Sequence, residues 1–148
     1  MICFMGIFSI LCILLSIISV TDIQSFRISN FCCIILACLG ILYSVVFKQS
    51  WIDCVIGFLS ISFPLTMMCL LTHKKWIGGG DIKLLAASGI LLGWKKNLLA
   101  FYIAGICVLI NTVVNYRAYK PGKKIALGPY LSIGILVSFL FGDMIKLI

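Results

Sequence analysis

Long runs of apolar residues, separated by short polar and basic stretches, dominate the chain. A helix that crosses a bilayer needs about 20 largely apolar residues, with a range of about 17–25. Five runs are typical of such helices and cover residues 2–20, 31–47, 51–71, 98–114 and 125–141. Pro64 in the third run is compatible with a membrane helix, because neighbouring groups re-satisfy the backbone that proline frees.

Residues 82–94 form a sixth apolar stretch that is shorter than the others. As a helix they would cover about 20 Å, less than a hydrocarbon core of about 30 Å. Trp94 followed by Lys95 and Lys96 is typical of a helix end at the membrane interface. We therefore predict that this stretch also crosses the membrane. The predicted fold class is all-α, a polytopic membrane protein with six transmembrane helices in a single domain, residues 1–148.

The distribution of Lys and Arg supports this topology, because basic residues are enriched in the cytosolic loops of membrane proteins. With six spans, one side of the membrane receives eight basic residues and the other four; without residues 82–94 as a span the bias vanishes. The richer set is Arg27, Lys74, Lys75, Lys83, Arg117, Lys120, Lys123 and Lys124, and the poorer set is Lys48, Lys95, Lys96 and Lys146. We predict that the richer side faces the cytosol and that both termini lie outside.

Composition argues against several other classes of protein. Charged residues make up 11% of the chain, against about 25% in soluble domains. The net charge of +8 comes from basic residues between apolar runs, which indicates orientation and attraction to anionic lipid rather than nucleic-acid binding. The eight cysteines include no Cys-x-x-Cys pair, so we expect small packed hydrophobes, no metal and no other cofactor. Residues 2–20 lack a basic n-region and a following Ala-x-Ala site, which favours a retained span over a cleaved signal peptide.

The acidic residues are the main candidates for chemistry, because carboxyl groups near a membrane core are costly. Asp22 follows the first predicted span and Asp81 opens the fourth, so both are predicted at the cytosolic end of the bundle. Two neighbouring carboxyl groups share a proton, and one then activates water while the other protonates or polarises a carbonyl. Asp53 and Asp143 are predicted at outer ends of spans, in solvated or capping roles. His73 has no evident Ser or Cys partner for a triad.

Three glycines precede the second acid, in the segment Gly78-Gly79-Gly80-Asp81. Glycine permits a positive φ and the close approach of another chain, which a protease needs where an extended peptide lies beside its acid. The same residues fit a flexible loop that ends in Asp81 as a helix N-cap. The glycines alone do not distinguish these two interpretations.

Three segments together resemble the type IV prepilin peptidases, a family of Gly-x-Gly-Asp intramembrane aspartic proteases. Residues 78–87, Gly-Gly-Gly-Asp-Ile-Lys-Leu-Leu-Ala-Ala, resemble the Gly-x-Gly-Asp signature. Residues 22–30, Asp-Ile-Gln-Ser-Phe-Arg-Ile-Ser-Asn, resemble the first aspartate motif, an Asp followed by Ile-Pro-Asn. Residues 125–131, Ile-Ala-Leu-Gly-Pro-Tyr-Leu, resemble the third conserved block. The three blocks occur in order and extend over nearly the whole chain.

The chain departs from the family pattern at two prolines and in one region. Ser29 and Ala126 each stand where the family usually has Pro, and neither change removes a catalytic group. Long bacterial members carry an N-terminal region with two Cys-x-x-Cys pairs, which is associated with N-methylation of the cleaved pilin. The chain resembles instead the short, peptidase-only members, such as those serving tight-adherence (Flp) pili, so methylation is not expected.

The resemblance implies an aspartic endopeptidase of the bacterial inner (cytoplasmic) membrane, with Asp22 and Asp81 as its catalytic pair. Its partners would be the leader peptides of prepilins or pseudopilins and membrane lipid, without nucleic acid. It would cut after the leader Gly at the cytosolic face and would need no cofactor.

Several further residues are candidates for substrate binding or for shaping the site. They are Gly78, Gly79, Gly80, Lys83, Asn30, Gly128 and Pro129. Lys83 is expected to anchor the cytosolic face, because residues i and i+2 of a helix do not face each other. Asn30 either hydrogen-bonds a carboxyl group or caps the second span. Gly128 and Pro129 either line the site or kink the last span.

Two other functions fit parts of the pattern. A transport or channel subunit would use the acids as ion or proton sites, but it would place them near the bilayer midplane rather than at one face. Another Gly-x-Gly-Asp protease, such as an archaeal preflagellin peptidase or a presenilin-like enzyme, would share the second motif. The spacing from Asp22 to Asn30 favours the prepilin type. The substrate pilin, the oligomeric state and the aspartate that holds the proton stay open.

Overall fold

The computed structural model describes residues 2–25, 28–71, 78–114 and 126–142, and these residues are almost entirely helical. The helices are α1 (Ile2–Ser25), α2 (Asn30–Val46), α3 (Trp51–Leu71), α4 (Gly79–Val114) and α5 (Gly128–Phe141). The predicted all-α fold is thus confirmed for the described residues. Some of the sequence predictions concern residues outside these described ranges. They are the predictions for His73, for Asp143 and for the basic residues Arg27, Lys74, Lys75, Arg117, Lys120, Lys123, Lys124 and Lys146.

Helix α4 is interrupted at Gly93, which has φ 72° and ψ 174°, and the residues on both sides are helical. We call residues 79–92 the first arm of α4 and residues 94–114 its second arm. The break lies where residues 82–94 were predicted to end a short span, so the arms correspond to the fourth and fifth predicted spans. By length and composition, α1, α3 and α4 can cross a membrane, and α2 and α5 are shorter apolar helices. The total of six spans therefore stays a prediction.

Two helix boundaries differ from the predicted spans. Helix α1 continues to Ser25, so Asp22 lies inside the helix and not after it. Residues 21–25 contain neither Gly nor Pro, so nothing local stops the helix earlier. Helix α5 begins at Gly128 and has Pro129 in its first turn, where the missing N–H breaks no intrahelical hydrogen bond. Pro129 therefore starts the last helix and does not kink it.

A buried stripe along α1 points one face into the bundle. Leu11, Leu15, Ile18 and Asp22 follow each other at intervals of three or four residues, and all four are buried. Ile13, on the other side of the helix, is exposed, as expected of a side chain that faces lipid. The stripe packs towards α5 and α2. Asp22 is its last member and is carried into the interior by the residues before it.

Helix α3 and the first arm of α4 cross with their backbones in direct contact. A Cβ on Gly57 would lie 2.3 Å from the carbonyl oxygen of Gly89, and a Cβ on Gly89 would lie 2.2 Å from that of Gly57. Small residues allow membrane helices to approach in this way. The crossing therefore depends on glycine at both positions.

A buried amide stabilises the same region. Asn97, at the start of the second arm, is 0% exposed. Its Nδ2 donates to the carbonyl oxygens of Gly57 at 3.3 Å and Leu85 at 3.1 Å, and its Oδ1 accepts from Ser88 Oγ at 2.9 Å. Polar groups in lipid must find partners within the protein. The Asn97 amide finds its hydrogen-bond partners on α3 and on the first arm of α4. These bonds link α3 to both arms of α4 and hold the angle between the arms at Gly93.

Gly89→Ala is expected to lower the free energy of unfolding by about 1–3 kcal/mol, because the new methyl group overlaps the Gly57 backbone. Gly105→Ala on the second arm is the matched control, since a Cβ there meets nothing within 4 Å. It should be neutral or stabilising, because Ala forms helix better than Gly. Thermal unfolding in detergent micelles measures both, and equal stability of the two variants would contradict the close crossing.

Candidate active site

Asp22 and Asp81 line one cavity, at the end of the bundle where α1 ends and α2, α4 and α5 begin. The cavity has a volume of about 240 Å³ and is lined by Asp22, Ile28, Asn30, Gly78, Gly79, Gly80 and Asp81. The two carboxyl groups are close enough for the charge of Asp22 to act on Asp81. The structure thus brings together the two acids that the sequence singled out, although they lie far apart along the chain.

The first residue of α5 holds the carboxyl group of Asp22. Asp22 is 5% exposed, and its Oδ2 accepts a hydrogen bond from the Gly128 N–H at 2.7 Å. The first N–H groups of a helix have no intrahelical acceptor, and an acidic side chain beside them interacts favourably with the helix dipole. A Cβ on Gly128 would lie 2.8 Å from both Cβ and Oδ2 of Asp22. Gly128 therefore packs against the Asp22 carboxyl group, the first of the two roles expected for it.

Two further hydrogen bonds fix this end of α5. The Nδ2 of Asn111, on the second arm of α4, donates to the hydroxyl of Tyr130. The hydroxyl of Ser132 donates to the carbonyl oxygen of Leu15 on α1 at 3.3 Å. Helix α5 is thereby tied to both α4 and α1 within its first two turns. These ties keep the Gly128 N–H in place against Asp22.

Asp81 lies in the first turn of α4 and is half-buried. Its N–H donates to the Gly78 carbonyl at 3.1 Å, and its carboxyl group accepts a hydrogen bond from the Gly78 backbone. The contact made by the carboxyl group is that of the acid in a capping box, which occupies the third helical position and reaches back to the N-cap backbone. Asp81 is therefore not the N-cap residue itself. Leu84 and Leu85, three and four positions later, are buried, so Asp81 begins an inward-facing stripe.

The glycine segment does not use the positive φ that its residues permit. Among the described glycines only Gly93 has a positive φ. Because α4 already begins at Gly79, the following residues take the negative φ of an α-helix. Close approach is found at Gly80, where a Cβ would lie 3.0 Å from the Cβ of Ile28, whereas a Cβ on Gly79 would meet nothing within 4 Å. The glycines therefore leave one wall of the cavity without side chains.

Lys83 and Asn30 form a hydrogen-bonded pair near the cavity. Lys83 Nζ donates to Asn30 Oδ1 at 2.9 Å, and both residues are exposed. Asn30 is the first residue of α2, and Ser29 is its N-cap. Asn30 is therefore not the N-cap residue, and its side-chain oxygen accepts a hydrogen bond from Lys83 rather than binding a carboxyl group. The pair connects α2 to α4.

Ile28 is the wall residue that sequence reasoning missed. It is buried and packs against Gly80. Its place in the segment between Asp22 and Asn30 was the available signal, but one apolar residue in so apolar a chain does not stand out. Ser29, which follows, has φ −66° and ψ 128°, close to the φ that a proline ring imposes. Serine thus keeps a backbone conformation that suits the proline usual in the family.

Asp53 lies at the opposite end of the bundle, in the first turn of α3. It lines a different cavity, together with residues around the break in α4. The structure therefore separates Asp53 from the pair formed by Asp22 and Asp81.

Ser29→Pro is expected to raise the free energy of unfolding by about 0.4–1 kcal/mol. The proline ring lowers the conformational entropy of the unfolded chain, and the native backbone at residue 29 already has the φ that the ring requires. Ser29→Ala is the control. It should be near neutral, since the Ser29 side chain makes no capping hydrogen bond. Thermal unfolding of both variants measures the difference, and a proline variant less stable than the alanine variant would contradict the expectation.

The comparisons with known proteins agree with the resemblance. Prepilin leader peptidase/N-methyltransferase from Bacillus subtilis (strain 168) is 31% identical over 138 residues, which cover 89% of this chain and 54% of that protein. The protein of the same name from Stutzerimonas stutzeri is 33% identical over 93 residues, 62% of this chain and 32% of its own length. The protein of the same name from Aeromonas hydrophila is 40% identical over 79 residues, which cover 51% of this chain and 27% of that protein. The chain thus spans between 27% and 54% of the length of these relatives.

No solved structure matches the chain. A family model does, over residues 9–113, and its description is the type IV leader peptidase family. The match includes both Asp22 and Asp81 and covers well over half of the residues. The chain therefore belongs to the type IV leader peptidase family.

Proposed function

We propose that the chain is an aspartic endopeptidase that removes the basic leader peptide from prepilin-like substrates. The single observation that carries the proposal is the cavity shared by Asp22 and Asp81 at one end of an apolar helical bundle. Membership of the type IV leader peptidase family supplies the reaction class. The relatives named as prepilin leader peptidases suggest prepilins as substrates.

In the proposed mechanism the two carboxyl groups act together on one water molecule. Two close acids titrate as a coupled pair and hold one proton between them. The ionised carboxyl takes a proton from water as its oxygen attacks the scissile carbonyl carbon, and the protonated carboxyl donates to the carbonyl oxygen. Collapse of the tetrahedral species then breaks the C–N bond, and the leaving amine takes up a proton from the pair. The hydrogen bonds from Gly128 and Gly78 orient the two acids for this step.

The glycine wall of the cavity suits an extended peptide with a small residue at the cut. With no side chains at Gly78, Gly79 and Gly80, a substrate backbone approaches Asp81 directly, and a leader Gly before the scissile bond fits the limited space. In this proposal the apolar part of the substrate stays in the inner membrane and the basic leader in the cytosol, which the cavity faces. Both termini of the chain then lie outside. The Lys83–Asn30 pair bounds the path by which the leader enters.

The alternative of a transport or channel subunit is not favoured. It called for acids near the middle of the membrane, whereas Asp22 is in the last turns of α1 and Asp81 in the first turn of α4. The family also consists of leader peptidases.

Asp22→Asn and Asp81→Asn are each expected to lower leader cleavage by about a hundredfold or more, because each removes a group that exchanges protons. Asp53→Asn is the matched control and should keep activity, since Asp53 lies at the other end of the bundle. The assay co-expresses each variant with a prepilin from the same genome and follows the leader by gel shift and mass spectrometry. Substantial processing by either of the first two variants, at equal membrane insertion, would refute the two-acid mechanism.

Gly128→Ala is expected to lower the cleavage rate by about tenfold to a hundredfold, because the new Cβ displaces the Asp22 carboxyl group from its position. Gly6→Ala on α1 is the control, since a Cβ there meets nothing within 4 Å. Single-turnover cleavage by purified protein measures both. A Gly128→Ala variant as fast as the control would show that the hydrogen bond to Asp22 is not needed for activity.

A further inference from the structure

The cavity that Asp22 and Asp81 share has a single apolar side chain among its described lining residues. Three of the seven lining residues are glycines, three are polar, and the seventh is Ile28. A hydrocarbon side chain beside two acids transfers no proton and makes no hydrogen bond. Its effect on a peptide in this cavity is therefore one of shape.

Ile28 is fixed in place by the bundle. It is 9% exposed and belongs to the buried hydrophobic core. Ser29, which follows, is the N-cap of α2, so the chain enters a helix directly after Ile28. Isoleucine is branched at Cβ, and this branching restricts its χ1 angle. The side chain therefore forms a wall that yields little to a substrate.

The Ile28 side chain packs on the backbone of the glycine segment. A Cβ on Gly80 would lie 3.0 Å from Ile28 Cβ and 3.4 Å from Ile28 Cγ1. Two carbon atoms are in optimal contact at about 3.5–4.0 Å, so both distances are too short. Gly80 directly precedes Asp81 in the chain. The cavity thus has no room for a methyl group between Ile28 and the residue before the second acid.

The rest of the glycine segment is bounded differently. A Cβ on Gly79 would meet nothing within 4 Å, and a Cβ on Gly78 would lie 3.0 Å from Asp81 Oδ2. The segment is therefore open at Gly79, where an extended chain can enter, and narrow at Gly80, where Ile28 stands. A substrate backbone that runs along the segment towards Asp81 meets Ile28 with the residue nearest to the acid.

We propose that Ile28 is the specificity-determining residue of the site and limits the substrate residue before the scissile bond to glycine. Its side chain occupies the space that a Cβ of that substrate residue would need beside the acids. Glycine has no Cβ and is accepted, whereas alanine and larger residues meet the isoleucine. This role of Ile28 rests on the proposed peptidase function, because it concerns the leader Gly of the same substrate.

Packing alone is the competing role for Ile28, and substrate preference distinguishes the two. A residue that only stabilises the bundle lowers the cleavage rate of every substrate by the same factor. A residue that limits the size of one substrate position changes the ratio between substrates that differ at that position. The informative quantity is therefore the ratio of kcat/KM for two prepilins within one variant of the chain.

The test uses a prepilin from the same genome with Gly before the scissile bond, and the same prepilin with that Gly replaced by Ala. Cleavage of both by the purified chain in proteoliposomes is followed by mass spectrometry. A single methyl group changes kcat/KM by about 10–200-fold, so the wild type should prefer the Gly prepilin by about that factor. Ile28→Ala removes the Cγ and Cδ atoms from the wall and should lower this preference by about tenfold or more, through faster cleavage of the Ala prepilin.

Three further variants control for stability and for the shape of the wall. Ile61→Ala on α3 makes the same change at a buried position that does not line this cavity, and its ratio should stay within about twofold of wild type. Ile28→Val keeps Cβ and Cγ1, the atoms nearest to Gly80, and should keep most of the preference for Gly. Where Ile28→Ala does not insert into the membrane, Ile28→Cys replaces it with the same expected direction, since cysteine is small and suits a buried apolar position.

The outcomes separate the role of Ile28 from the proposed function itself. A wild type that cleaves neither prepilin overturns the proposed function, and the role of Ile28 with it. Cleavage of the Gly prepilin with an unchanged preference in Ile28→Ala overturns the role of Ile28 alone, and so does equal cleavage of the two prepilins by wild type. A preference that is lost in Ile28→Ala and kept in Ile61→Ala supports the role of Ile28.

Discussion

The hydrogen bond from the Gly128 N–H to Asp22 Oδ2 is the interaction on which the candidate active site depends. It joins residues 106 positions apart and brings the end of α1 against the start of α5. The buried stripe of α1 carries the carboxyl group inward, and an unpaired helix N-terminus receives it. Because Gly128 has no side chain, the two backbones approach closely enough for this bond to form. The ties from Asn111 to Tyr130 and from Ser132 to Leu15 then hold α5 in that position.

The break at Gly93 organises the rest of the bundle. It ends the first arm of α4, which carries Asp81 at one end and borders the cavity lined by Asp53 at the other. The direct contact of Gly57 with Gly89, and the buried amide of Asn97 beside it, hold this arm against α3. One short helical segment therefore separates the cavity that Asp22 and Asp81 line from the cavity beside the break.

The sequence allowed prediction of the helical bundle and of the meeting of Asp22 with Asp81, because long apolar runs and rare acids are strong signals in a membrane protein. Gly128 became a candidate through the resemblance of residues 125–131 to a block of the family. It did not show which face of α1 is buried, since apolar residues surround that helix and only packing distinguishes its sides. The role of Asn97 depends on two carbonyls brought near it by the crossing of α3 and α4. The glycines before Asp81 permit a positive φ, but α4 starts among them, and Gly93, inside the same helix, adopts it instead.

The most direct test of the central claim is to locate the scissile bond of a bound substrate. A prepilin with a photo-reactive residue next to its leader Gly would be crosslinked to the Asp81→Asn protein, which the account predicts to be inactive, and the adducts would be mapped by mass spectrometry. The account predicts adducts within residues 28–30 and 78–80, the walls of the cavity that Asp22 and Asp81 share. Adducts confined to residues 48–53 or 94–96, at the opposite end of the bundle, would contradict it.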